Sequence, residues 1–457
     1  MVRKSMLLLM AVFMVFLWGC TTRTTTTARV TCNPITLSGD GTPVAPYLIS
    51  KSSDFLALEA CPTANYQLTD DIDFSTDAIR YENGLYTFGI EPVTIFAGTL
   101  DGNGHLLTYS GDDGDPLFLS LEGAVIKNLR LNWNVDTTLA VEYHWQLDGF
   151  HGDFGILAKV SRDSVIQNIV LEGQTNYDIS SHKNIPVYAL GALVGINESL
   201  ISNVYVNMDL SYKSLSQYSH YIYHVGGIVG ENKGLIQDVR YEGVIDVNAD
   251  SSENYAYVGG VVGVNKEVVS KASTSVEIDS YSAKNTSGYD GIAVSGGVVG
   301  WNTQTGVVSD VISVESKVHA FGCWLTASGG VIGYNNGALT HAISSGNISL
   351  TRTLFTFEQL YGFGGIIGQG QSSRVHDSVY FKDLGEETAI FGDVSFVGRN
   401  LKIPQSLAFR SMFENEFGFS EELWLMIDGE YPQLILNQEY WVCDDVCTLR
   451  LAVVENE

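Results

Sequence analysis

The chain has 457 residues, and its 52 Asp and Glu side chains outnumber its 25 Lys and Arg side chains, giving a formal charge of −27. So acidic a chain argues against nucleic acid as a partner, because neutralising phosphates requires clustered Lys and Arg. Hydrophobic residues make up 45% of the sequence and Pro occupies only 9 positions, which excludes a disordered or collagen-like chain.

The N-terminal segment predicts export and lipid anchoring. Arg3 and Lys4 precede an uninterrupted apolar run, Met6–Trp18, which is too short to span a bilayer, and Cys20 follows it. This arrangement resembles a bacterial lipoprotein signal over residues 1–19. The resemblance implies lipidation of Cys20 and a surface-exposed location at the outer membrane of a bacterial cell envelope. An ordinary secretory signal is the alternative, and the Thr-rich residues 20–33 predict a polar tether.

A repeated motif dominates the rest of the chain. Gly-Gly-aliphatic-aliphatic-Gly-x-Asn begins at residues 226, 259, 296 and 329, and relaxed copies begin at 191 and 364, so the copies are 33 to 37 residues apart. A second element, of the type Ile201-Ser202-Asn203-Val204, recurs at a nearly fixed offset and extends the series back to residue 126. Short apolar runs with period 2, separated by Gly, Asn, Asp and Ser, indicate strands and turns.

Strands repeated at this spacing predict an all-β fold, namely a right-handed parallel β-helix (β-solenoid) of about eight coils with N- and C-terminal caps. The predicted boundaries are 34–110 for the N-terminal cap and first coils, 111–380 for the repeats, 381–442 for the C-terminal cap and 443–457 for a Cys-containing tail. A β-propeller is the competing repeat architecture, but it needs four strands per unit and its signature motifs are missing.

The last residue of the motif predicts a structural ladder. Five copies end in Asn and the sixth ends in Gly370; the five are Asn197, Asn232, Asn265, Asn302 and Asn335. In stacked coils these side chains lie one above another. The exchange of Asn for Gly predicts a corner with positive φ, which both residues tolerate.

The residue before this Asn varies freely, which predicts that it points outward. Adjacent coils then place Trp301 beside Tyr334, about 4.8 Å apart at the usual strand spacing. A pair of exposed aromatic rings suits the face of a sugar ring, so these two residues are candidate ligand contacts. The alternative is that the rings cover a neighbouring loop.

Two groups of carboxylates are candidate calcium ligands. Aligned repeats put Asp246 and Asp279 at equivalent positions of consecutive coils, where like charges repel unless one is protonated, a cation lies between them or the loops diverge. Divergence of the loops is the expectation. Asp112, Asp113 and Asp115 form a second candidate Ca²⁺ loop, with a solvated turn as the alternative. We expect the protein to require no cofactor, and Ca²⁺ is the ion that these carboxylates would suit.

The cysteine content fits an oxidising compartment. Cys443 and Cys447 are close enough in sequence to close a small loop, and a Cys32–Cys61 pair would tie the N-terminal cap. Cys323 is then left over as a buried apolar residue. The alternative is that all five are unpaired and buried.

The glycine motif resembles the GLUG repeat of bacterial cell-surface proteins, which occurs in filamentous adhesins and beside some IgA-specific metallopeptidases. Segments Gly39–Thr42 and Phe96–His105 are similar to the block that precedes such repeats, and Asp428–Leu434 is similar to the element that closes them. The resemblance covers roughly residues 36–436 and implies a surface-exposed rod that binds a ligand. The peptidase activity does not carry over, because the chain has no His-Glu-x-x-His motif.

The sequence therefore favours a non-catalytic surface lipoprotein that binds a glycan or a host or envelope protein. It contains no Gly-x-Ser-x-Gly motif, no phosphate-binding loop and no His spacing typical of a metal site. A polysaccharide-active lyase or hydrolase is the alternative, because β-solenoids host enzymes that use paired carboxylates. A structural component of the envelope or biofilm matrix is the third reading.

Overall fold

A computed structural model of the chain describes residues 36–75, 80–82, 85–87, 92–111, 115–136, 153–178, 187–213, 222–249, 254–282, 291–322, 324–352, 360–370, 374–381, 391–393, 400–403, 410–427, 432–435, 439–443 and 447–451. All of them belong to one compact unit, Ile35–Glu457. The predicted signal segment, the tether and the lipidation residue Cys20 lie outside the described residues.

The described part of the chain is almost entirely β-structure. Its strands are β1 (Tyr47–Ile49), β2 (Asn65–Leu68), β3 (Ile72–Asp73), β4 (Arg80–Glu82), β5 (Leu85–Thr87), β6 (Val93–Phe96), β7 (Thr99–Asp101), β8 (Leu106–Gly111), β9 (Phe118–Glu122), β10 (Val125–Asp136), β11 (Ala158–Asp178), β12 (Val187–Gly191), β13 (Val194–Lys213), β14 (Ile222–Gly226), β15 (Val229–Asn232), β16 (Leu235–Asn248), β17 (Tyr255–Gly259), β18 (Val262–Asn265), β19 (Val268–Ser282), β20 (Ile292–Gly296), β21 (Val299–Asn302), β22 (Val307–Gly322), β23 (Leu325–Gly329), β24 (Ile332–Asn335), β25 (Ala338–Arg352), β26 (Leu360–Gly364), β27 (Ile367–Gly370), β28 (Val375–His376), β29 (Ser378–Phe381), β30 (Phe391–Asp393), β31 (Asn400–Ile403), β32 (Trp424–Leu425), β33 (Gln433–Leu434), β34 (Glu439–Cys443) and β35 (Cys447–Leu451).

Helical segments are short. They are a 3₁₀ turn at Ser52–Phe55, α1 (Leu56–Ala60), α2 (Arg410–Met412) and a π turn at Phe413–Phe417. In the part of the chain that the structure describes, none of the helices has the length and apolar character needed to cross a bilayer.

Each coil of the repeat region is built from three strands. In one coil, β14 leads through the Gly226-Gly227 turn into β15, and a turn at Lys233-Gly234 leads into the long strand β16. Each strand pairs in parallel with its counterpart in the next coil, as β14 does with β17 and β16 with β19. This stacking confirms the predicted all-β parallel β-solenoid.

Two large sheets result from the stacking. Strands β12, β14, β17, β20, β23 and β26 form a six-stranded sheet, with one strand from each copy of the glycine motif, and the long strands belong to a 23-stranded sheet. The stack extends beyond the motif at both ends. Leu100 of β7 pairs with both Tyr66 and Ile126 near the N-terminal end, and β29 pairs with β31 at the other end.

Stacked aliphatic side chains form the core. Ile201, Ile236, Val269 and Val308 occupy equivalent positions of four successive coils and are 0% exposed. Burying such a side chain contributes about 1.5–3 kcal/mol. Because each coil covers the apolar positions of the previous one, a coil is stable only within the stack.

In the copy of the motif that begins at Gly226, both adjacent glycines are required by space. A Cβ atom on Gly226 would lie 1.9 Å from the carbonyl oxygen of Val229, and one on Gly227 would lie 2.1 Å from the carbonyl oxygen of Gly260. Any other residue would force the turn between β14 and β15 open. The motif therefore marks a close approach of backbone to backbone.

The Asn residues at the end of the motif form a continuous side-chain ladder. Nδ2 of each donates to Oδ1 of the next, at 2.9 Å from Asn197 to Asn232, 2.9 Å to Asn265, 3.0 Å to Asn302 and 2.8 Å to Asn335. All five side chains are 0% exposed. Water cannot reach these buried turns, and the Asn side chains supply the hydrogen bonds that water would otherwise make.

The predicted positive φ at this ladder is wrong. The motif Asn residues lie in extended strands, whereas positive φ occurs in the second element, at Asn128, Asn168, Asn203, Asp238, Lys271, Asp310, His341 and Asp377. This is the corner at which each long strand bends. Asn and Asp predominate there because they tolerate the left-handed region. Gly370 has a φ of +149°, so its exchange for Asn does not report a shared conformation.

The C-terminal segment adds a separate buried cluster. Phe413, Phe419 and Trp424 pack with Ile312 of β22 and Ile343 of β25. This cluster covers the outer side of the late coils. Trp424 also begins β32, which pairs in antiparallel fashion with β33.

The cysteines are placed only in part. Cys61 is disulfide-bonded, whereas Cys32 and Cys323 lie outside the described residues. Cys443 and Cys447 lie opposite each other in the antiparallel hairpin of β34 and β35.

Candidate functional site

The outward face of the long strands carries one continuous row of polar residues. The strands β10, β11, β13, β16, β19, β22 and β25 pair in register, and one residue of each faces solvent at the same level. We call these residues the polar row; they are Asp136, Asn176, Ser211, Asp246, Asp279, His319 and Ser349. Neighbouring members are about 4.7–4.9 Å apart along the stack, measured between backbones.

An open cleft of about 560 Å³ covers the first part of the polar row. Its polar side chains come from two parallel columns, the row itself and the column two residues before it, and include Asn134, Gln174 and Asp209 together with the row residues Asp136, Asn176, Ser211 and Asp246. Among the described residues that line the cleft, none is Lys, Arg or His. The cleft therefore offers amides, hydroxyls and carboxylates with no positive charge.

Hydrogen bonds hold part of this lining in place. Oδ1 of Asp209 accepts the backbone N–H of Val244 at 2.9 Å, and Nδ2 of Asn134 donates to Oδ1 of Asn132 at 3.0 Å. These bonds link neighbouring strands and neighbouring positions of one strand. The arrangement fixes the side chains that a ligand would contact.

Asp246 and Asp279 lie directly opposite each other in adjacent strands, so the expected divergence of their loops is wrong. Partial burial, followed by the charge of Asp279, raises the pKa of Asp246 above its ordinary value, and Lys213 opposes this shift. Two carboxylates this close disfavour simultaneous ionisation.

Asp279 is in turn hydrogen-bonded to the next member of the row. Nδ1 of His319 lies 2.9 Å from Oδ1 of Asp279, and Nε2 of His319 lies 3.0 Å from Oγ1 of Thr351. His319 thus links three coils. Asp279 remains well exposed, with 65% of its side chain accessible.

The predicted metal sites receive no support from the geometry. Among the described residues, no group of three or more His, Cys, Asp or Glu side chains is placed to hold a metal ion. Asp112 and Asp113 lie outside the described residues, and Asp115 is not among the residues that line the cleft.

Trp301 and Tyr334 are in register in adjacent coils, but the prediction that this position points outward is wrong. At the same position Glu231 is 6% exposed and Val264 is 0% exposed. The rings are half-buried: Trp301 packs on Tyr257, with ring centroids 5.1 Å apart, and Tyr334 packs against a buried cluster that contains Val294. These strands face the six-stranded sheet, not solvent, so the ring surfaces are largely covered by protein.

A stacked aromatic pair that belongs to neither repeated motif lies beside the polar row. Tyr281 and Phe321 follow Asp279 and His319 by two residues, and their rings stack with centroids 4.6 Å apart and an interplanar angle of 13°. Both residues are partly exposed. Extending the alignment past the second element would have revealed this pair. Because the rings stack on each other, they form an apolar wall and leave little free ring face between them.

An ion-pair cluster surrounds the buried carboxylate of Glu231 in β15. Burial by itself would raise the pKa of Glu231, but contacts with His224 at 3.0 Å, Lys266 at 2.7 Å and Lys233 at 3.0 Å outweigh it. The pKa of Glu231 is therefore held well below its usual range. Lys233 also lies 3.4 Å from Glu198 of the preceding coil, so the cluster ties coils together.

The fold and this surface define a parallel β-solenoid with an open, acidic polar face. No known family model matches the chain. Over 70 aligned residues, 14% of this chain, it is 43% identical to halomucin from Haloquadratum walsbyi (strain DSM 16790 / HBSQ001), and this region is 1% of halomucin's length. Among solved structures, a Bacteroides ovatus protein proposed to be an immunoglobulin A1 protease is 15% identical, with a TM-score of 0.38 over 87% of this chain and 94% of that chain.

Proposed function

We propose that the protein is a non-catalytic, surface-displayed binding module that holds an extended glycan along the polar row. The single observation that carries the proposal is the register of the row, which presents one polar side chain per coil over the cleft. The strand spacing of about 4.8 Å is close to the length of one sugar residue. A polysaccharide lying parallel to the stack would therefore meet one equivalent group per sugar.

The chemistry of the lining supports a polyhydroxylated ligand. Asn134, Gln174 and Asn176 carry both donors and acceptors, and Ser211 adds a hydroxyl. Groups of this kind hydrogen-bond the alternating donors and acceptors of sugar hydroxyls. The proposed binding surface is thus the polar row and not the half-buried pair Trp301 and Tyr334.

The surface location is the second part of the proposal. The glycine motif resembles the GLUG repeat of cell-surface proteins, and the segment ending at Cys20 resembles a lipoprotein signal. A lipid on Cys20, joined through the Thr-rich tether, would anchor the solenoid at the bacterial outer membrane. Glycans or proteins of a host or of the envelope would then be accessible partners.

A glycan array tests the binding proposal. We expect the domain that starts after the tether to bind at least one class of polysaccharide, and the double variant Gln174→Ala with Ser211→Ala to lose that binding. Glu422→Ala, which changes an exposed residue outside the cleft and the polar row, is the control and should bind like wild type. Each variant is also melted to check folding. An empty array, or equal loss in the control, would contradict the proposal.

A specific observation favours a polysaccharide-active enzyme as the second candidate. Asp246 and Asp279 are in register on adjacent strands, whose backbones are about 4.8 Å apart, and retaining glycosidases likewise use two neighbouring carboxyls, roughly 5–5.5 Å apart. The raised pKa of Asp246 suits a general acid. Release of reducing ends from the bound glycan, abolished by Asp246→Asn and by Asp279→Asn, would select this candidate over the non-catalytic one. Assays with and without Ca²⁺ test whether calcium contributes.

A further inference from the structure

We propose that the glycan held by the polar row is basic, a chain of amino sugars with free ammonium groups. This inference rests on the proposed function, because it names the ligand class for the same surface. It follows from the charge of the cleft, from the mixture of groups that line it and from the spacing of two carboxylates.

The cleft is selective by charge. Three carboxylates, Asp136, Asp209 and Asp246, line it, and no Lys, Arg or His is among the described residues of the lining. The next member of the row is Asp279. A uronic acid or sulfated chain would bring negative charge against this surface, whereas an ammonium group would be attracted to it.

The lining also distinguishes an amino sugar from a simple polyamine. Asn134, Gln174 and Ser211 line the cleft together with the carboxylates and offer amide and hydroxyl groups that suit sugar hydroxyls. A polyamine has no hydroxyl groups to pair with them. An amino sugar chain satisfies both kinds of group together, because it carries hydroxyls and ammonium groups at short intervals.

The adjacent carboxylates give the most specific contact. Asp246 and Asp279 face each other across one coil spacing, and partial burial, followed by repulsion from Asp279, disfavours the ionised form of Asp246 against the opposing charge of Lys213. Two consecutive ammonium-bearing residues would place one cation near each carboxylate. Binding then relieves a repulsion that exists in the free protein, which strengthens the preference for a basic chain.

Matched oligosaccharides of glucosamine, N-acetylglucosamine, glucose and glucuronic acid, all of equal length, test the inference by isothermal titration. We expect glucosamine oligomers to bind about tenfold more tightly than the neutral oligomers, a difference of about 1.4 kcal/mol, and glucuronic acid oligomers to bind most weakly. Added salt should weaken glucosamine binding and leave neutral binding nearly unchanged, because screening acts on charge pairs.

Two variants complete the experiment. Asp246→Asn should lower the ratio of the glucosamine affinity to the neutral-oligomer affinity, because it removes one carboxylate of the cleft; Glu422→Gln removes one exposed charge outside the cleft and should leave this ratio unchanged. Equal binding of glucosamine and neutral oligomers, or equal effects of the two variants, would overturn this inference and leave the proposed function standing. Binding of no oligomer, together with an empty glycan array, would contradict both.

Discussion

Nδ2 of Asn265 donates a hydrogen bond to Oδ1 of Asn302, 3.0 Å away in the next coil. The same Asn265 accepts a bond from Asn232 in the preceding coil at 2.9 Å and donates to the carbonyl of Glu267 at 3.0 Å. Both Asn265 and Asn302 are 0% exposed. One buried side chain therefore links three coils and satisfies polar groups that water cannot reach.

Asn265→Ala and Asn265→Gly should both lower the free energy of unfolding by on the order of 3 kcal/mol, because each leaves buried partners in two coils without a hydrogen bond. Urea denaturation followed by far-UV circular dichroism measures the loss. Asn265→Gly should be no more stable than Asn265→Ala, since the backbone at this position is extended. A glycine variant as stable as wild type would restore the positive-φ explanation of this ladder.

Glu315 gives the complementary test at a position that does have positive φ, +53°. Its side chain is exposed, so its conformation matters more than its contacts. Glu315→Gly should keep or raise stability, whereas Glu315→Val should lower it by about 1–2 kcal/mol, the cost of the left-handed region for a branched residue. Glu315→Gly should therefore melt at a higher temperature than Glu315→Val. Equal melting temperatures would contradict the conclusion that the backbone at Glu315 is strained.

The repeat architecture could be predicted because the spacing of the glycine motif fixes the length of a coil, and the coil length fixes which residues stack. The Asn ladder followed from the same alignment. The conformation at the ladder could not be predicted, because Asn is suited both to a left-handed corner and to a buried hydrogen-bonded row. Only the backbone shows that Asn203 occupies the first kind of position and Asn265 the second.

Part of the candidate site could also be predicted from the alignment of the repeats. Asp246 and Asp279 could be paired from their equivalent positions, but the continuation of that row to His319 required the register across a bulge between β19 and β22. The predicted exposure of Trp301 is wrong, because variation in sequence at a position does not by itself indicate contact with solvent. A variable position can also face another sheet, where Glu231 and Val264 are both buried.

Glu231 should make stability depend on pH. Its pKa is depressed in the folded state, so its contribution is present above the ordinary carboxyl pKa near 4.5 and is lost as the pH falls below that value. Glu231→Gln should lower the free energy of unfolding by about 3 kcal/mol near neutral pH, because Lys266 and Lys233 lose a buried partner. The difference from wild type should shrink in acid. A constant difference at all pH values would contradict the ion-pair account.

Lipid anchoring at Cys20 predicts the cellular fraction. Cys20→Ala should move the protein from the membrane fraction to the soluble fraction, because the substitution removes the thiol that the proposed lipid would occupy. Cys323→Ala, which leaves the signal segment intact, is the control and should fractionate like wild type. Identical fractionation of Cys20→Ala and wild type would contradict the anchor.

The most direct test of the central claim compares two double variants for binding of the glycan that the array identifies. Gln174→Ala with Asp246→Ala removes side chains from the cleft on the polar row, whereas Trp301→Ala with Tyr334→Ala removes the half-buried rings. We predict that the first pair loses binding at least about tenfold with an unchanged melting temperature. The second pair should melt lower and, below its melting temperature, still bind. Retained binding in the first pair, with loss in a fully folded second pair, would contradict the assignment of the site to the polar row.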